Sequence, residues 1–332
     1  MSWYFENGID SDVVVSTRIR YARNISGINF GTKIDDKDEE KIVNKFKEKK
    51  IKDLTLYKLT DVDDITKMSL VEKHIMSRDI LNNKNGAFLL SDDESVCVML
   101  NEEDHIRIQV VGAGLDFKET FKKAQEIDSE ISKNIDYSYS DKYGYLTTCP
   151  TNLGTGLRVS TMLHLPGLRI TGRIQKVLDV INKINVTVRG VYGEGTVALG
   201  DMYQVSNKIS LGVSEQDIIS NVKSITETII KKEREARDFL RKQGVTFEDK
   251  ILREYGTLRY AKKITYDECA RLISDAKLGV DMGIIDDIDL KKVNMIRTLT
   301  KPASIQKYYK CNLEPNERDL KRAELIKEIV TK

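Results

Sequence analysis

An α+β protein is the expectation from this sequence: a sheet-containing first part followed by a helical second part. Three patterns lead there. Short β-branched or alternating runs recur through the first three-fifths of the 332 residues, interleaved with helical periodicities. A single long amphipathic stretch, 214–243, closes that part. Beyond it no convincing strand signal remains.

The elements follow in order. Val13–Ser16 is the first strand signal. Lys37–Lys50 begins acidic and ends basic, as the helix dipole favours. Val96–Leu100 and Ile106–Val111 read as strands. Asp116 and Glu119 form a capping-box-like pair opening a helix to Ile135, with Phe117, Phe121, Ala124, Ile127 and Ile131 on one face. Tyr143–Thr148 and Arg158–Leu165 read as strands. Gly172–Ile184 carries Ile174, Val177, Leu178 and Ile181 at helical spacing, and Val186–Arg189 and Met202–Ser206 are the last strand signals.

Ser214 then caps a helix to Gln243, with Val222, Ile225 and Ile229 as its apolar stripe and Gly244 past its end. Thr265–Glu268 is a second capping box, on a helix that stops at Gly279. Asp289–Leu299 ends before Pro302, and Pro315 opens the last helix. The expected division falls near residue 240, giving parts 1–237 and 238–332.

Composition excludes several functions. Lys+Arg 54 against Asp+Glu 52 leaves a net charge of +2, so there is no global basic field of a dedicated nucleic-acid binder. Four scattered cysteines without a Cys-x-x-Cys pair exclude a disulfide scaffold and a zinc ribbon. Three histidines without His-Glu-x-x-His argue against a histidine metal cage, and no metal-ligating set is expected in the protein itself. The N-terminus has no basic region followed by an apolar run, and no segment approaches the ~20 apolar residues of a membrane span. A cytoplasmic protein without membrane contact is expected.

The chemistry lies in where the arginines sit. Period-two geometry puts Arg18 and Arg20 on one face of an extended segment. It does the same for Glu103, His105 and Arg107, and for Arg158, Ser160, Met162 and His164. A single strand arginine ordinarily faces water or pairs with a carboxylate. Several converging on one sheet face need an anionic partner, and a polyphosphate matches guanidinium forks bidentately. Gly167–Arg173 imitates P-loop spacing but lacks Lys followed by Ser/Thr, so a nucleotide site here would do without the common glycine loops.

Four segments carry a family resemblance. They are Ser-Thr-Arg-Ile-Arg-Tyr-Ala-Arg-Asn (16–24), Asn-Glu-Glu-Asp-His-Ile-Arg (101–107), Cys-Pro-Thr-Asn-Leu-Gly-Thr-Gly-Leu-Arg (149–158) and Arg-Gly-Val-Tyr-Gly-Glu-Gly (189–195). In this order they resemble the signature segments of the phosphagen (guanidino) kinase superfamily. With Ala-Leu-Gly-Asp-Met-Tyr-Gln-Val-Ser-Asn after the last of them, the chain is similar to the bacterial protein arginine kinases of that superfamily. The match runs from residue 13 to about 237, with a further match near the C-terminus.

The resemblance implies a phosphagen-kinase catalytic domain of the glutamine synthetase-like type, an antiparallel sheet flanked by helices, followed by a helical domain that supports dimerisation. It implies ATP with Mg²⁺ carried on the nucleotide. Ser16, Thr17, Arg18, Ile19 and Arg20 match the first nucleotide-binding segment, and His74 matches the histidine beside the adenine. Arg107, then Arg158, Val159, Ser160, Thr161 and Met162, then Arg189, Gly190, Val191, Tyr192, Gly193 and Glu194 match the remaining nucleotide-binding segments. Glu103 and Glu194 match the catalytic carboxylates that hold the acceptor guanidinium, and Cys149 matches a cysteine lying near it.

Near the C-terminus, Arg318, Asp319, Arg322 and Ala323 match an Arg-Asp-x-x-Arg-Ala motif that in those kinases forms a phosphoarginine-binding regulatory pocket. On a helix Arg318 and Arg322 stand at i and i+4, so two guanidinium forks on one face are expected. Only Met1–Asp12 precede the first strand, so the N-terminal helical domain of the small-guanidino kinases is expected to be absent. A site lacking that wall would admit an arginine on a polypeptide. The implied partners are protein substrates with accessible arginines, an activator McsA, a heat-shock repressor CtsR, the Clp ATPase and protease, and a second copy of the chain. The alternatives are a small-molecule guanidino kinase and a non-catalytic phosphoarginine-binding adaptor.

Overall fold

The computed structural model describes residues 2–181, 186–190 and 198–331. Ten strands and eleven α-helices follow one another along them. They run β1 (Val14–Arg23), α1 (Asp36–Glu48), β2 (Thr55–Lys58), α2 (Asp64–Glu72), β3 (Ala87–Leu90), β4 (Val96–Leu100), β5 (Ile106–Ala113) and α3 (Phe117–Ser132). Next come β6 (Tyr139–Ser140), β7 (Gly144–Tyr145), β8 (Leu157–His164), α4 (Pro166–Ile170), α5 (Ile174–Ile181), β9 (Val186–Gly190) and β10 (Met202–Asn207). The helical part is α6 (Glu215–Arg241), α7 (Val245–Tyr260), α8 (Tyr266–Asp281), α9 (Leu290–Leu299), α10 (Pro302–Tyr309) and α11 (Pro315–Thr331).

Eight strands form one sheet in the order β2-β3-β4-β5-β1-β8-β10-β9, every neighbour antiparallel. Register makes the sheet two-faced. Ile19 stands opposite Val110 and Val159, and Tyr21 opposite Ile108 and Leu157. These residues share a core with Phe117, Phe121 and Ala124 of α3 and with Val222, Ile225 and Ile229 of α6. Burying that face is the main drive for the fold, at about 25 cal/mol per Å² of apolar surface. The opposite face carries arginines at its centre. Toward the β3–β4 end it carries Phe88, Cys97 and Met99, which pack with Leu70, Ile75 and Ile80.

The longer helices begin where their caps predict. Asp116 accepts from the backbone of Glu119, Ser214 from Asp217, Thr265 from Glu268 and Asp289 from Lys292. Each cap contributes about 1 kcal/mol. Helix α6 lays Ile218 through Ala236 against the sheet core, while its last turn places Leu240 in a second core built from α7–α11. Gly244, at φ 59°, starts α7, so the chain turns there through a conformation that favours glycine.

Several expectations are corrected. Tyr143–Thr148 is not a sheet strand: only Gly144 and Tyr145 pair, in a separate two-stranded hairpin with Tyr139–Ser140. The strand at 106 does not extend back through Glu103 and His105. His105 instead turns inward, where its Nδ1 accepts from the Ile25 amide and its Nε2 lies 2.9 Å from the Asn29 carbonyl oxygen. The end of the expected helix 172–184 lies outside the described residues. Helices α2, α4, α7 and α10 and strands β2 and β3 are additions to the sequence reading.

The helical part is joined to the sheet by buried ionic groups. Glu233 of α6 accepts from the amides of Gly167 and Leu168 at the start of α4, and pairs with Arg237. Arg237 and Lys277 both reach Asp281 and the Asp12 carbonyl. Asp201, buried between the two parts, accepts from Ser274, whose hydroxyl lies 2.8 Å from His164 Nε2.

Candidate active site

Five adjacent strands bring the predicted arginines to one face. Arg20 stands opposite Arg158 and Gln109, and Arg18 opposite Ser160. Arg107 stands opposite Ala22, which shares the face of Arg20. Arg189 stands opposite Gln204, which in turn faces Met162. Strand alternation alone therefore collects Arg18, Arg20, Arg107, Arg158 and Arg189 over β5, β1, β8, β10 and β9. Thr17, Ile19, Val159 and Thr161 alternate to the other face: Thr17 Oγ1 donates to the Gly114 carbonyl, and Thr161 Oγ1 lies 3.0 Å from Thr226 Oγ1.

Among the described residues, few carboxylates face the cluster. Arg107 pairs with Glu102 at 2.5 Å and with Glu103 at 3.3 Å. Arg18 donates to Gln204 and Ser160, and Arg158 to Ser206, all neutral acceptors. The Nε atoms of Arg20 and Arg158 are buried with no hydrogen-bond partner among the described residues. Burial, followed by the charges of Arg18, Arg107 and Arg158, pushes the Arg20 guanidinium far below its ordinary value. Burial followed by Arg189 and Arg107 does the same, more mildly, for Arg158. Crowded, desolvated cations of this kind are stabilised by an anion that all of them can reach.

Two hollows meet over these arginines. One is a cleft of about 610 Å³ lined by all five arginines, with His74, Gln204 and Ser206. The other is a smaller pocket of about 120 Å³ that holds Glu103, Cys149, Thr151 and Asn152. Arg20, Arg107 and Arg158 line both. A phosphate chain in the cleft and a guanidino group in the pocket would thus face each other across three shared guanidiniums.

Glu103 is partly exposed, with 40% of its side chain accessible. Burial of the remainder raises its pKa, Arg107 opposes the shift, and Asp104 and Glu102 reinforce it. Cys149 Sγ lies 3.1 Å from Thr151 Oγ1. His74 sits at φ 59° at the far end of the cleft, and its carbonyl is held by Gln109 Nε2 at 2.9 Å. Burial, then the charges of Lys301, Arg18 and Arg297, keep its imidazole neutral, well below the ordinary histidine value. Gly190 closes β9 and lines the cleft. Val191, Tyr192, Gly193 and Glu194 lie outside the described residues, so the second predicted carboxylate has no position here.

The Arg-Asp-x-x-Arg-Ala segment departs from its expected geometry. Arg322 does not stand beside Arg318 on an open face. It is buried at 1% exposure, with Nε donating to the Thr300 carbonyl and Nη1 to the Ile264 carbonyl and to Asp319. Ala323 is buried in the second core, and Arg318 remains partly exposed.

Sequence reasoning passed over Gln109, Gln204 and Ser206, the neutral residues that orient the arginine face and its neighbours. Their period-two spacing with Arg107 and with each other was the available signal. It also passed over Tyr266, Lys301 and Pro302, which line the cleft from the helical part.

A sheet face that gathers arginines for polyphosphate, beside a pocket containing a carboxylate, defines a phosphotransferase. Comparison with known proteins places it more closely. Residues 37–236 match the family model of the ATP:guanido phosphotransferase C-terminal catalytic domain, and residues 244–332 match that of the protein-arginine kinase McsB C-terminal domain. A protein-arginine kinase of Caldanaerobacter subterraneus subsp. tengcongensis is 44% identical over 326 residues, covering 96% of each chain. The Bacillus subtilis protein-arginine kinase is 41% identical over 335 residues, covering 98% of this chain and 92% of that one.

Among solved structures, the duplicated taurocyamine kinase of Schistosoma mansoni with transition-state analogue components matches 67% of this chain with a TM-score of 0.59 at 27% identity. This chain spans 33% of that duplicated one. Lombricine kinase shares the fold at a TM-score of 0.59 and 23% identity, over 69% of this chain and 68% of its own. The chain belongs to the ATP:guanido phosphotransferase family, in its protein-arginine kinase branch.

Proposed function

We propose that this protein transfers the γ-phosphate of ATP directly to arginine side chains of proteins. The observation that supports this best is the cluster of arginines on one sheet face, with few counter-charges among the described residues; Arg20, Arg107 and Arg158 of that cluster line both the large cleft and the Glu103 pocket. In this reading Arg18, Arg20, Arg107, Arg158 and Arg189 hold the triphosphate, with Ser16, Ser160 and Met162 on the same sheet face and His74 toward the base. Arg20, Arg107 and Arg158 neutralise the transferring group, where charge develops in the transition state. The donor set along the cleft is guanidinium, so Mg²⁺ would ride on the phosphate oxygens and add positive charge there.

A guanidinium is a poor nucleophile, because its pKa exceeds ~12 and its lone pairs are delocalised. Glu103, with its raised pKa, is suited to hold the acceptor in line and take its proton as the N–P bond forms. Glu194 would be the second carboxylate, Gly190 through Gly193 would follow the phosphates, and Cys149 would position the acceptor. One displacement transfers the phosphoryl group, and no phosphoenzyme forms.

The wider role belongs to the same proposal. Residues 1–237 would be the catalytic domain and 238–332 a helical domain with phosphoarginine-binding and dimerisation roles. The tagged proteins would go to a Clp protease, CtsR would be one target, McsA an activator, and the setting cytoplasmic; the likeness to the protein-arginine kinases supports these assignments. With Arg322 engaged by backbone carbonyls, Arg318 is the accessible guanidinium of the proposed regulatory site.

The test is intact-mass and acid-lability analysis after incubation with Mg-ATP. A protein acceptor, free arginine and creatine are compared, with Glu194→Ala as control. Acid-labile phosphoryl adducts on arginines of the protein acceptor, lost in Glu194→Ala, are expected. Adducts on only the free guanidino compounds would contradict the protein-kinase reading.

A further inference from the structure

The pocket that holds Glu103 and Cys149 is lined in part by Thr151 and Asn152. The loop carrying these residues lies between two other surface segments. On one side is the β6–β7 hairpin, where Tyr145 and Gly154 exchange backbone hydrogen bonds of 2.8 and 3.3 Å. On the other is the segment that follows β10. Ser210 Oγ lies 2.8 Å from the carbonyl oxygens of Thr151 and Leu153, and the Ser210 carbonyl accepts from the Thr155 amide at 3.2 Å.

The three backbones pack closely. A Cβ at Gly144 would stand 2.5 Å from the Gly154 carbonyl oxygen, and one at Gly154 would stand 2.4 Å from that of Ser210. Both glycines also hold positive φ, 72° and 107°. The segment after β10 is fixed at its root as well. Asn207 Nδ2 donates to the Leu157 and Ile209 carbonyls, and Asn207 Oδ1 accepts from the Val159 amide.

These flanking segments present large apolar side chains to solvent. Tyr139 and Tyr143 of the hairpin are exposed, as are Ile209, Leu211 and Val213 after β10. Tyr143 is 43% accessible and Leu211 44%, enough for a partner to cover much of either. Single exposed apolar residues are ordinary, but a group of them on held backbone beside a binding pocket marks an interaction surface. A surface already ordered in this way costs a partner little to bind.

The chemistry of the neighbouring pocket points to the occupant. A protein-arginine kinase takes an arginine attached to a polypeptide. That side chain is only a few bonds long, so with its guanidinium at Glu103 the backbone carrying it crosses the rim that the 149–156 loop forms. Its neighbours, spaced ~3.3 Å apart in an extended chain, then pass over the hairpin on one side and the segment after β10 on the other. No residue from 209 to 213 is charged, so apolar neighbours fit there better than acidic or basic ones.

We propose that the exposed apolar residues of the β6–β7 hairpin and of the segment after β10, Tyr143 and Leu211 above all, form the docking surface for the substrate polypeptide. They favour targets with aromatic or aliphatic residues within a few positions of the arginine. The proposal rests on the kinase reading and adds a recognition element to it. Tyr143 and Leu211 meet the flanks of the substrate, not the reacting atoms.

The experiment compares two peptides of equal length and net charge, each with one arginine, as acceptors for the full chain with Mg-ATP. In one the arginine is flanked on both sides by leucine and tyrosine, in the other by glycine and serine. The wild type, Tyr143→Ser and Leu211→Ser are assayed. The wild type should use the apolar-flanked peptide with the higher kcat/KM. Each substitution should lower that value about tenfold, through KM, and leave the glycine-serine peptide and the KM for ATP unchanged. No preference in the wild type, a preference that survives both substitutions, or an equal loss for the two peptides would overturn the proposal. Sedimentation of the three proteins tests the other occupant. Variants that change oligomeric state and keep the preference would make this surface a contact between copies of the chain instead. A wild type that phosphorylates neither peptide would overturn the kinase reading as well.

Discussion

In the proposed reading Glu103 and Arg20 carry the two halves of the chemistry, and each has a measurable signature. In that reading Glu103 works as an ionised carboxylate, and partial burial raises its pKa. Activity should therefore fall on the acid side as pH drops through a pKa above the ordinary glutamate value of about 4.3. Glu103→Gln should lower kcat by about 10²–10⁴ and abolish that limb, which a pH–rate profile reads directly. Arg20 is crowded by like charges and has a buried Nε with no partner among the described residues. Arg20→Met should cost about 10³ in kcat without lowering the unfolding temperature of the nucleotide-free protein. A large drop in that temperature would show that Arg20 holds the fold rather than the phosphate.

Among elements, the last helix gives the sharpest test. Arg322 of α11 holds the carbonyls of Ile264 and Thr300, which precede α8 and end α9. Arg322→Ala should lower stability by about 3 kcal/mol, since it leaves buried carbonyls without donors. Arg318→Ala, on a partly exposed side chain, should stay within about 0.5 kcal/mol. Chemical denaturation of the two variants makes the comparison. The Arg322 role was hidden from the sequence, because i, i+4 spacing fixes angular position on a helix but not which neighbouring helix covers that face.

The same reason separates the elements that could be read from those that could not. Helices α3, α6, α8 and α9 announce themselves by Asp116, Ser214, Thr265 and Asp289 as caps. Helix α7 has Gly244 at its cap, with no side chain to hydrogen-bond, and β2 and β3 have only four residues each. The arginine face was readable from period-two spacing alone. The contributions of Tyr266 and Lys301 to the cleft were not, because they depend on how the helical part docks.

Across the whole molecule, that docking is expected to be pH-sensitive. His164 lies between the two parts, beside Ser274, and burial, followed by Lys277 and Arg237, keeps its pKa well below the ordinary value. His74 is depressed by burial in the same way. Below about pH 6.5 the unfolded chain binds protons at these positions that the folded chain does not. Their contribution is thus complete above that pH and is lost as pH falls toward the depressed folded values. The unfolding temperature should drop between pH 7 and 5, and His164→Gln should flatten the slope; an unchanged slope would show that His164 is not responsible.

With Arg20, Arg107 and Arg158 shared between two adjoining pockets, the proposal has phosphoryl transfer take place in one step. The most direct test is the stereochemistry at phosphorus, using ATP made chiral at the γ-phosphate with oxygen isotopes and sulfur. The account predicts inversion in the phosphoarginine product, the mark of a single in-line displacement. Retention would require two displacements through a phosphoenzyme, and would contradict it.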